Sequence, residues 1–288
     1  MKITELFKNN RPILSLEIFP PKPDVEISTI YDTIDELAEL PADFISVTYG
    51  AAGSTAKTTI DVAKRILNHN KLLPLPHYTC IGTERADAAL VIESFRKFNI
   101  DNILALRGDL PEGVSNSGLF RYASDFIAYL KQNSALCIGA AAYPEGHSDT
   151  KNVNTEMNYL KLKADSGADY FITQLFFDNN FYYNLLELAQ KHNIRKPIFA
   201  GIMPVLNGKS LLRIIKLSGV SVPQELSKLV ARYGDRPLEM EKAGIDYAAK
   251  QIDDLLGNNV SGVHLYCMNR PSVAKNIFSR CMQRSNNV

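Results

Sequence analysis

Short apolar segments alternate eight times with longer amphipathic ones along this 288-residue chain, predicting an α/β fold of parallel strands joined by right-handed crossovers, a closed (β/α)8 barrel. Two further observations favour closure over an open doubly wound sheet. No GxGxxG fingerprint follows the first strand, where an open dinucleotide-binding sheet would carry it. The length also lies slightly above the ~250 residues typical of the barrel. With no shift of composition to mark a boundary, residues 1–288 are expected to form one domain.

After a short lead helix, Ile13 to Phe19 has strand composition and must stop at Pro20-Pro21-Lys22-Pro23, because proline fixes φ and lacks an amide donor. Ile27, Ile30, Ile34 and Leu37 recur at helical spacing and predict a helix from Val25 to Leu40. Strand Phe44 to Thr48 runs into the glycine-rich loop Tyr49 to Ser54, and a helix follows from about Thr59 to Asn68. The pattern repeats with strand Leu75 to Cys80, helix Glu84 to Phe98, strand Asn102 to Leu106, and a long loop through Gly113 and Gly118. Helix Ser124 to Gln132, strand Leu136 to Ala141, helix Thr155 to Ser166 and strand Tyr170 to Thr173 come next. Helix Tyr182 to His192 precedes strand Pro197 to Ile202. Helical segments occupy most of Ser210 to Leu256, broken near Pro223 and Gly234 to Pro237, and read as an insertion before the last strand, Val263 to Tyr266. Val273 to Met282 closes the chain as a helix.

The 32 basic residues nearly cancel the 31 acidic ones, so nothing favours nucleic acid or another polyanion as partner. Cys80, Cys137, Cys267 and Cys281 lie far apart without metal or redox spacing, and reduced thiols in apolar segments imply a cytoplasmic protein. No apolar run approaches the ~20 residues of a membrane span. The charged N-terminal residues lack the apolar region of a signal peptide.

In such a barrel every strand delivers its C-terminal end to one face, so polar residues at strand ends converge. Ile103 to Leu106 reads as a buried strand followed at once by Arg107-Gly108-Asp109. Alone, this is a strand-ending turn with a surface ion pair; in company, it is a place where backbone and opposite charges meet a ligand. Glu17, flanked by apolar strand residues, is expected to be buried and to favour its neutral form, which suits a general acid. His77 reads equally as a core imidazole, and no second histidine or acid stands at metal spacing. Gln174 offers a donor and an acceptor to a heterocycle edge, or caps its strand. Arg107 with the Gly108 amides suits a phosphate or pyrophosphate. Lys163 would assist from the next helix, although a solvated helix face is its favoured reading.

The segments Leu16-Glu17-Ile18-Phe19-Pro20-Pro21-Lys22, Ser46-Val47-Thr48-Tyr49-Gly50-Ala51, His77-Tyr78-Thr79-Cys80 and Ala105-Leu106-Arg107-Gly108-Asp109-Leu110-Pro111 form the first half of an ordered set. Ala142-Tyr143-Pro144-Glu145-Gly146-His147, Ile172-Thr173-Gln174-Leu175-Phe176-Phe177-Asp178, Gly201-Ile202-Met203-Pro204-Val205 and His264-Leu265-Tyr266-Cys267-Met268-Asn269-Arg270 complete it. In order and spacing these resemble the bacterial 5,10-methylenetetrahydrofolate reductases over nearly the whole chain.

The resemblance implies a flavoprotein that reduces 5,10-methylenetetrahydrofolate to 5-methyltetrahydrofolate, supplying methyl groups for methionine synthesis, with FAD at the barrel mouth and NADH or NADPH as electron donor. Matched by position, Glu17 would protonate folate N10, and Asp109 would tune flavin and pterin. Gln174, Tyr266 and Arg270 would meet substrate, while Thr48, His77, Arg107, Gly108, Asp109, Tyr143, His147, Glu156 and Lys163 would hold FAD. Glu156 stands where the family has an aspartate, and Ile214 where some relatives place an aromatic. Control by S-adenosylmethionine is not expected. The implied partners are small molecules, with self-association into a homo-oligomer left open. Two alternatives remain: a flavin subunit, with FAD or FMN, drawing electrons from a partner protein, and a folate- or flavin-binding subunit without turnover. Glu17, Asp109 and Gln174 together argue against the second.

Overall fold

The computed structural model describes residues 1–22, 24–49, 56–70, 72–109, 118–147 and 152–285, with side chains to Cys281. Positions 50–54 of the glycine-rich loop after the second strand, and Leu110, Pro111 and Gly113, lie outside these residues.

Eight parallel strands close in sequence order: β1 (Ile13–Ile18), β2 (Phe44–Val47), β3 (Leu73–Thr79), β4 (Asn102–Leu106), β5 (Cys137–Ala142), β6 (Tyr170–Thr173), β7 (Ile198–Ile202) and β8 (Gly262–Tyr266). β1 pairs with β8, as the predicted barrel requires. Between strands run α1 (Tyr31–Ala38), α2 (Ala56–Arg65), α3 (Arg85–Lys97), α4 (Ala123–Asn133), α5 (Val153–Asp165) and α6 (Asn179–Lys191). Three helices, α7 (Gly208–Ser218), α8 (Gln224–Tyr233) and α9 (Pro237–Gly257), separate β7 from β8, and α10 (Pro271–Ser285) follows.

The differences from expectation have local causes. The first predicted helix splits into a 3-10 turn, Ile27–Ile30, and α1, while α2 passes into a π-helical turn, Ile66–Asn70. β3 starts two residues early and takes in Pro74 and Pro76. Both prolines are tolerated because that part of β3 is in register with β2, while its pairing to β4 begins only at His77.

Strand alternation divides the side chains. Outward residues such as Leu16, Ile45, Ile103 and Ile138 pack beneath the helices in the main core. Inward residues at the strand starts, among them Ile13, Phe44, Leu104, Tyr170 and Phe199, form a second cluster sealed by Ile3, Leu6 and Phe7 of the N-terminal 3-10 helix Ile3–Asn9. Further along the same inward faces stand Ser15, Ser46, His77 and His264, all buried. The barrel interior therefore passes from apolar at its N-terminal end to polar at its C-terminal end. All four cysteines are free and buried. Among the described residues no helix is long and apolar enough to cross a membrane.

Candidate active site

The polar end of the barrel is built by register. Glu17 of β1 pairs laterally with Ser46 of β2 and Tyr266 of β8, and Ser15 pairs with His264. Only 14% of the Glu17 side chain is exposed. Its Oε2 lies 3.4 Å from His264 Nε2, 3.5 Å from His77 Nε2, and within reach of the Ser46 hydroxyl at 3.4 Å. The expected burial is present, yet the expected neutral acid is not. Burial pushes the carboxyl up, but the His264 hydrogen bond, the charges of His77 and His264 and the Ser46 bond together hold it below the ordinary carboxylate range. His77 goes the other way, since burial lowers it to about 4 despite the neighbouring Glu17. The structure thus corrects the sequence expectation: Glu17 rests as a carboxylate.

His264 is the functional residue that sequence reasoning passed over. It carries no exposed surface, stacks against Phe44 at 6.1 Å between ring centroids and reaches Ser15 through Nδ1 at 2.8 Å. A signal was present: His264 stands two residues before Tyr266 on a strand, so both side chains share one face. Tyr266 crosses the mouth to donate its hydroxyl to the Thr173 carbonyl at 2.7 Å, with its ring above Gly201.

A second group lies beside the first, around a cavity of about 420 Å3 between β4, β5, α4 and α5. Arg107, Tyr143, His147, Glu156 and Lys163 line it, as does the N-terminal turn of α4 from Tyr122 to Ser124. That helix start, with its outward amides, is a further element the sequence reading did not assign. Lys163 is buried rather than solvated: its Nζ donates to the Ala141 carbonyl at 2.6 Å, faces Glu156 at 3.8 Å and sits 5.6 Å from the Tyr143 ring centre. The favoured sequence reading fails here because α5 turns this face inward over the end of β5. Burial lowers the Lys163 ammonium and raises the Glu156 carboxyl, each partly countered by the other. An added anion would relieve the ammonium.

The remaining positions divide. Gly108 has φ +84°, and a Cβ there would meet the Thr79 side chain at 2.8 Å, so the turn after β4 requires glycine. Asp109 follows it, exposed at the same barrel end. Thr48, just past β2, has a buried Oγ1 without a hydrogen-bond partner. The Gln174 side chain accepts the Leu175 amide at 2.9 Å, the strand-capping geometry weighed from the sequence. Arg270 turns to Glu241 of α9 at 2.9 Å, outside both groups. Ile214 packs with the α7–α9 cluster. Among the described residues no group of acids, histidines or cysteines is suited to hold a metal ion.

The geometry meets its relatives here. The family model described as methylenetetrahydrofolate reductase matches residues 2–282. The 5,10-methylenetetrahydrofolate reductase of Escherichia coli is 31% identical over 261 residues, covering 91% of this chain and 88% of its own. Methylenetetrahydrofolate reductase (NADH) 1 of Arabidopsis thaliana is 32% identical over 285 residues, covering 93% of this chain and 48% of its own. The chain therefore spans about half the length of such eukaryotic relatives. Among solved structures, an uncharacterized Clostridium thermocellum protein that binds two copies of 5-methyl-5,6,7,8-tetrahydrofolic acid shares the fold, with TM-score 0.62 at 16% identity over 99% of this chain and all of its own. With the family model spanning nearly every residue and curated relatives above 30% identity, the chain belongs to the methylenetetrahydrofolate reductase family.

Proposed function

We propose that this chain reduces 5,10-methylenetetrahydrofolate to 5-methyltetrahydrofolate, using NADH or NADPH through bound FAD, and so supplies methyl groups for methionine synthesis. The observation that carries the reading is the buried Glu17 carboxylate among two histidines at the polar end of the barrel, beside a cavity furnished with Arg107, Lys163 and a helix start. The residues present fit a flavin dinucleotide. Lys163, Arg107 and the α4 amides suit a pyrophosphate. The half-exposed Tyr159 and Leu162 offer an apolar bed for a flat heterocycle, and the buried Thr48 Oγ1, without a hydrogen-bond partner, awaits one past the end of β2.

FAD, when bound, supplies hydride acceptance from the nicotinamide and hydride donation to the folate. The protein's share is binding, orientation and one proton. Glu17, a carboxylate at rest, first takes up a proton from solvent at the mouth and then hands it to N10 of the folate, opening the five-membered ring and leaving an electrophilic centre at N5. Gln174 and Tyr266 frame the pterin, and Asp109 adds its charge at the rim. The Arabidopsis relative is named for NADH, which supports NADH as donor. The Clostridium protein of like fold binds a folate, which supports a folate as ligand here.

Purified protein is expected to be yellow, to bleach with NADH under anaerobic conditions and to recolour with methylenetetrahydrofolate. A colourless protein that takes up no flavin would defeat the reading. Glu17→Gln should leave bleaching by NADH within a few-fold while folate reduction falls by about 10²-fold or more. Equal loss of both half-reactions would remove Glu17 from the acid role.

A further inference from the structure

The last strand ends in a turn tied to the first. Cys267 donates its thiol to the Glu17 carbonyl at 3.1 Å, and the Asn269 side chain accepts the Phe19 amide at 2.9 Å while donating to the Phe19 carbonyl at 2.8 Å. Met268 and Asn269 have φ of 57° and 53°, left-handed values that residues with a Cβ adopt at a cost, so these bonds hold a strained turn. It sets Arg270 at the rim of the mouth, next to the strand that carries Glu17. There the guanidinium meets Glu241 of α9, Nη2 donating to Oε1 at 2.9 Å.

Neither element depends on this ion pair for its place. A Cβ on Gly244, three residues after Glu241, would collide with the Val205 carbonyl oxygen, so the α9 backbone lies directly on the turn after β7. Met240 is buried in the α7–α9 cluster, and Tyr247 donates its hydroxyl to the Phe177 carbonyl at 2.7 Å. The pair itself is open to water, with 41% of the Arg270 side chain and 30% of the Glu241 side chain exposed, and an ion pair so exposed adds little to stability. Its effect falls instead on what else the arginine binds.

A folate carries two carboxylates on its glutamyl group, at the end remote from the pterin. With N10 at Glu17, that anionic end leaves the axis for the rim, where a guanidinium fork suits a carboxylate. Glu241 presents the same chemical group to the same fork. We propose that Glu241 is a specificity-determining residue: by neutralising Arg270 it competes with the glutamyl carboxylates and so sets how tightly the folate tail is held. The inference rests on the reading of this chain as a folate reductase. Binding then exchanges one carboxylate for another on a single guanidinium, and product release reverses the exchange. One contact at a half-exposed site cancels the arginine's charge more than it aims the side chain, which is why competition and not positioning is the expected role.

The test compares Glu241→Gln with the unsubstituted protein on two substrates, 5,10-methylenetetrahydrofolate and 5,10-methylenetetrahydropteroate, which lacks the glutamyl group. Expected in the variant is a KM for the folate about two- to fivefold lower, with the KM for the pteroate unchanged. Arg270→Gln should raise the folate KM, and adding Glu241→Gln to it should bring no gain, because the two side chains are coupled only through the guanidinium. Urea midpoints of the unsubstituted protein and Glu241→Gln should agree closely, which separates competition from a role in holding α9. A folate KM that is unchanged or raised in Glu241→Gln overturns the proposal, and so does an equal fall for both substrates or a gain that persists without Arg270. A protein that neither binds nor reduces the folate overturns the functional reading and this inference together, whereas a working folate reductase whose KM ignores Glu241 loses the inference alone.

Discussion

His77 is neutral in the folded chain at pH values where the unfolded chain protonates it, and this makes stability depend on pH. Burial lowers its pKa to about 4, the Glu17 charge countering and His264 reinforcing, while an unfolded histidine titrates near 6.5. Between those values the unfolded state binds a proton that the folded state does not, so stability rises with pH across the window and is lost as pH falls from about 6.5 to about 4. The full effect is about 3 kcal/mol. Glu17, held below its ordinary value, acts in the same direction at lower pH. Urea midpoints of the flavin-free protein should therefore drop between about pH 7 and pH 4.5, and His77→Gln should flatten the drop. An unchanged slope in the variant would show that this imidazole is not the linked group. At this scale burial was legible in the sequence, because apolar neighbours flank Glu17 on its strand. Its ionisation was not, because the imidazole that turns the balance arrives 247 residues later in the chain. Lys163 was misjudged for the same reason: helical spacing does not say which face of α5 meets the end of β5.

Among the elements, β6, β7 and β8 are joined at the mouth by one narrow passage. A Cβ on Gly201 of β7 would stand 2.3 Å from the Thr173 carbonyl oxygen and 2.9 Å from the Tyr266 ring. The Gly201 amide also donates to the Thr173 hydroxyl at 2.8 Å, and Tyr266 donates to the Thr173 carbonyl. Gly201→Ala must therefore part β7 from β6 or displace the tyrosine. A loss of about 1–3 kcal/mol is expected from such overpacking, read as a lower denaturant midpoint, with a raised KM for the folate as Tyr266 leaves its place. Unchanged stability and KM would mean that the mouth yields freely. Elements were the most legible scale, since alternation of apolar strands and amphipathic helices needs no long-range information. Even the α7–α9 insertion showed, through the breaks at Pro223 and Gly234. The extension of β3 back through Pro74 to Leu73 did not, because tolerance of proline there depends on which neighbour each part of the strand pairs with.

Across the whole molecule the two barrel ends have separate work, since one interior runs from an apolar plug to a polar mouth. The closed order of strands followed from their number and alternation, whereas the plug did not, because a short lead helix carries no mark of where it docks. Ile3 is fully buried in that plug among Leu6, Phe44, Tyr170 and Phe199, and Phe7 meets Tyr170 and Phe199 edge-on at 6.2 and 6.0 Å. Removing three carbons at Ile3 leaves a cavity that the surrounding rings cannot fill without leaving their contacts. Ile3→Ala should therefore cost about 2–4 kcal/mol of stability. The mouth lies at the other end of the same strands, and residues at the N-terminal face of such barrels serve stability rather than chemistry. The variant should accordingly keep its flavin affinity and its folate KM at temperatures where it remains folded. Lys163→Met should instead weaken flavin binding by about tenfold or more through loss of the cation, and lower the unfolding midpoint as well, because Glu156 loses its buried partner and the Ala141 carbonyl its donor. Parallel urea titrations and flavin-binding titrations of the two variants decide the matter. If Ile3→Ala loosens flavin while still folded, the two ends are coupled and the division of labour along the barrel axis is wrong.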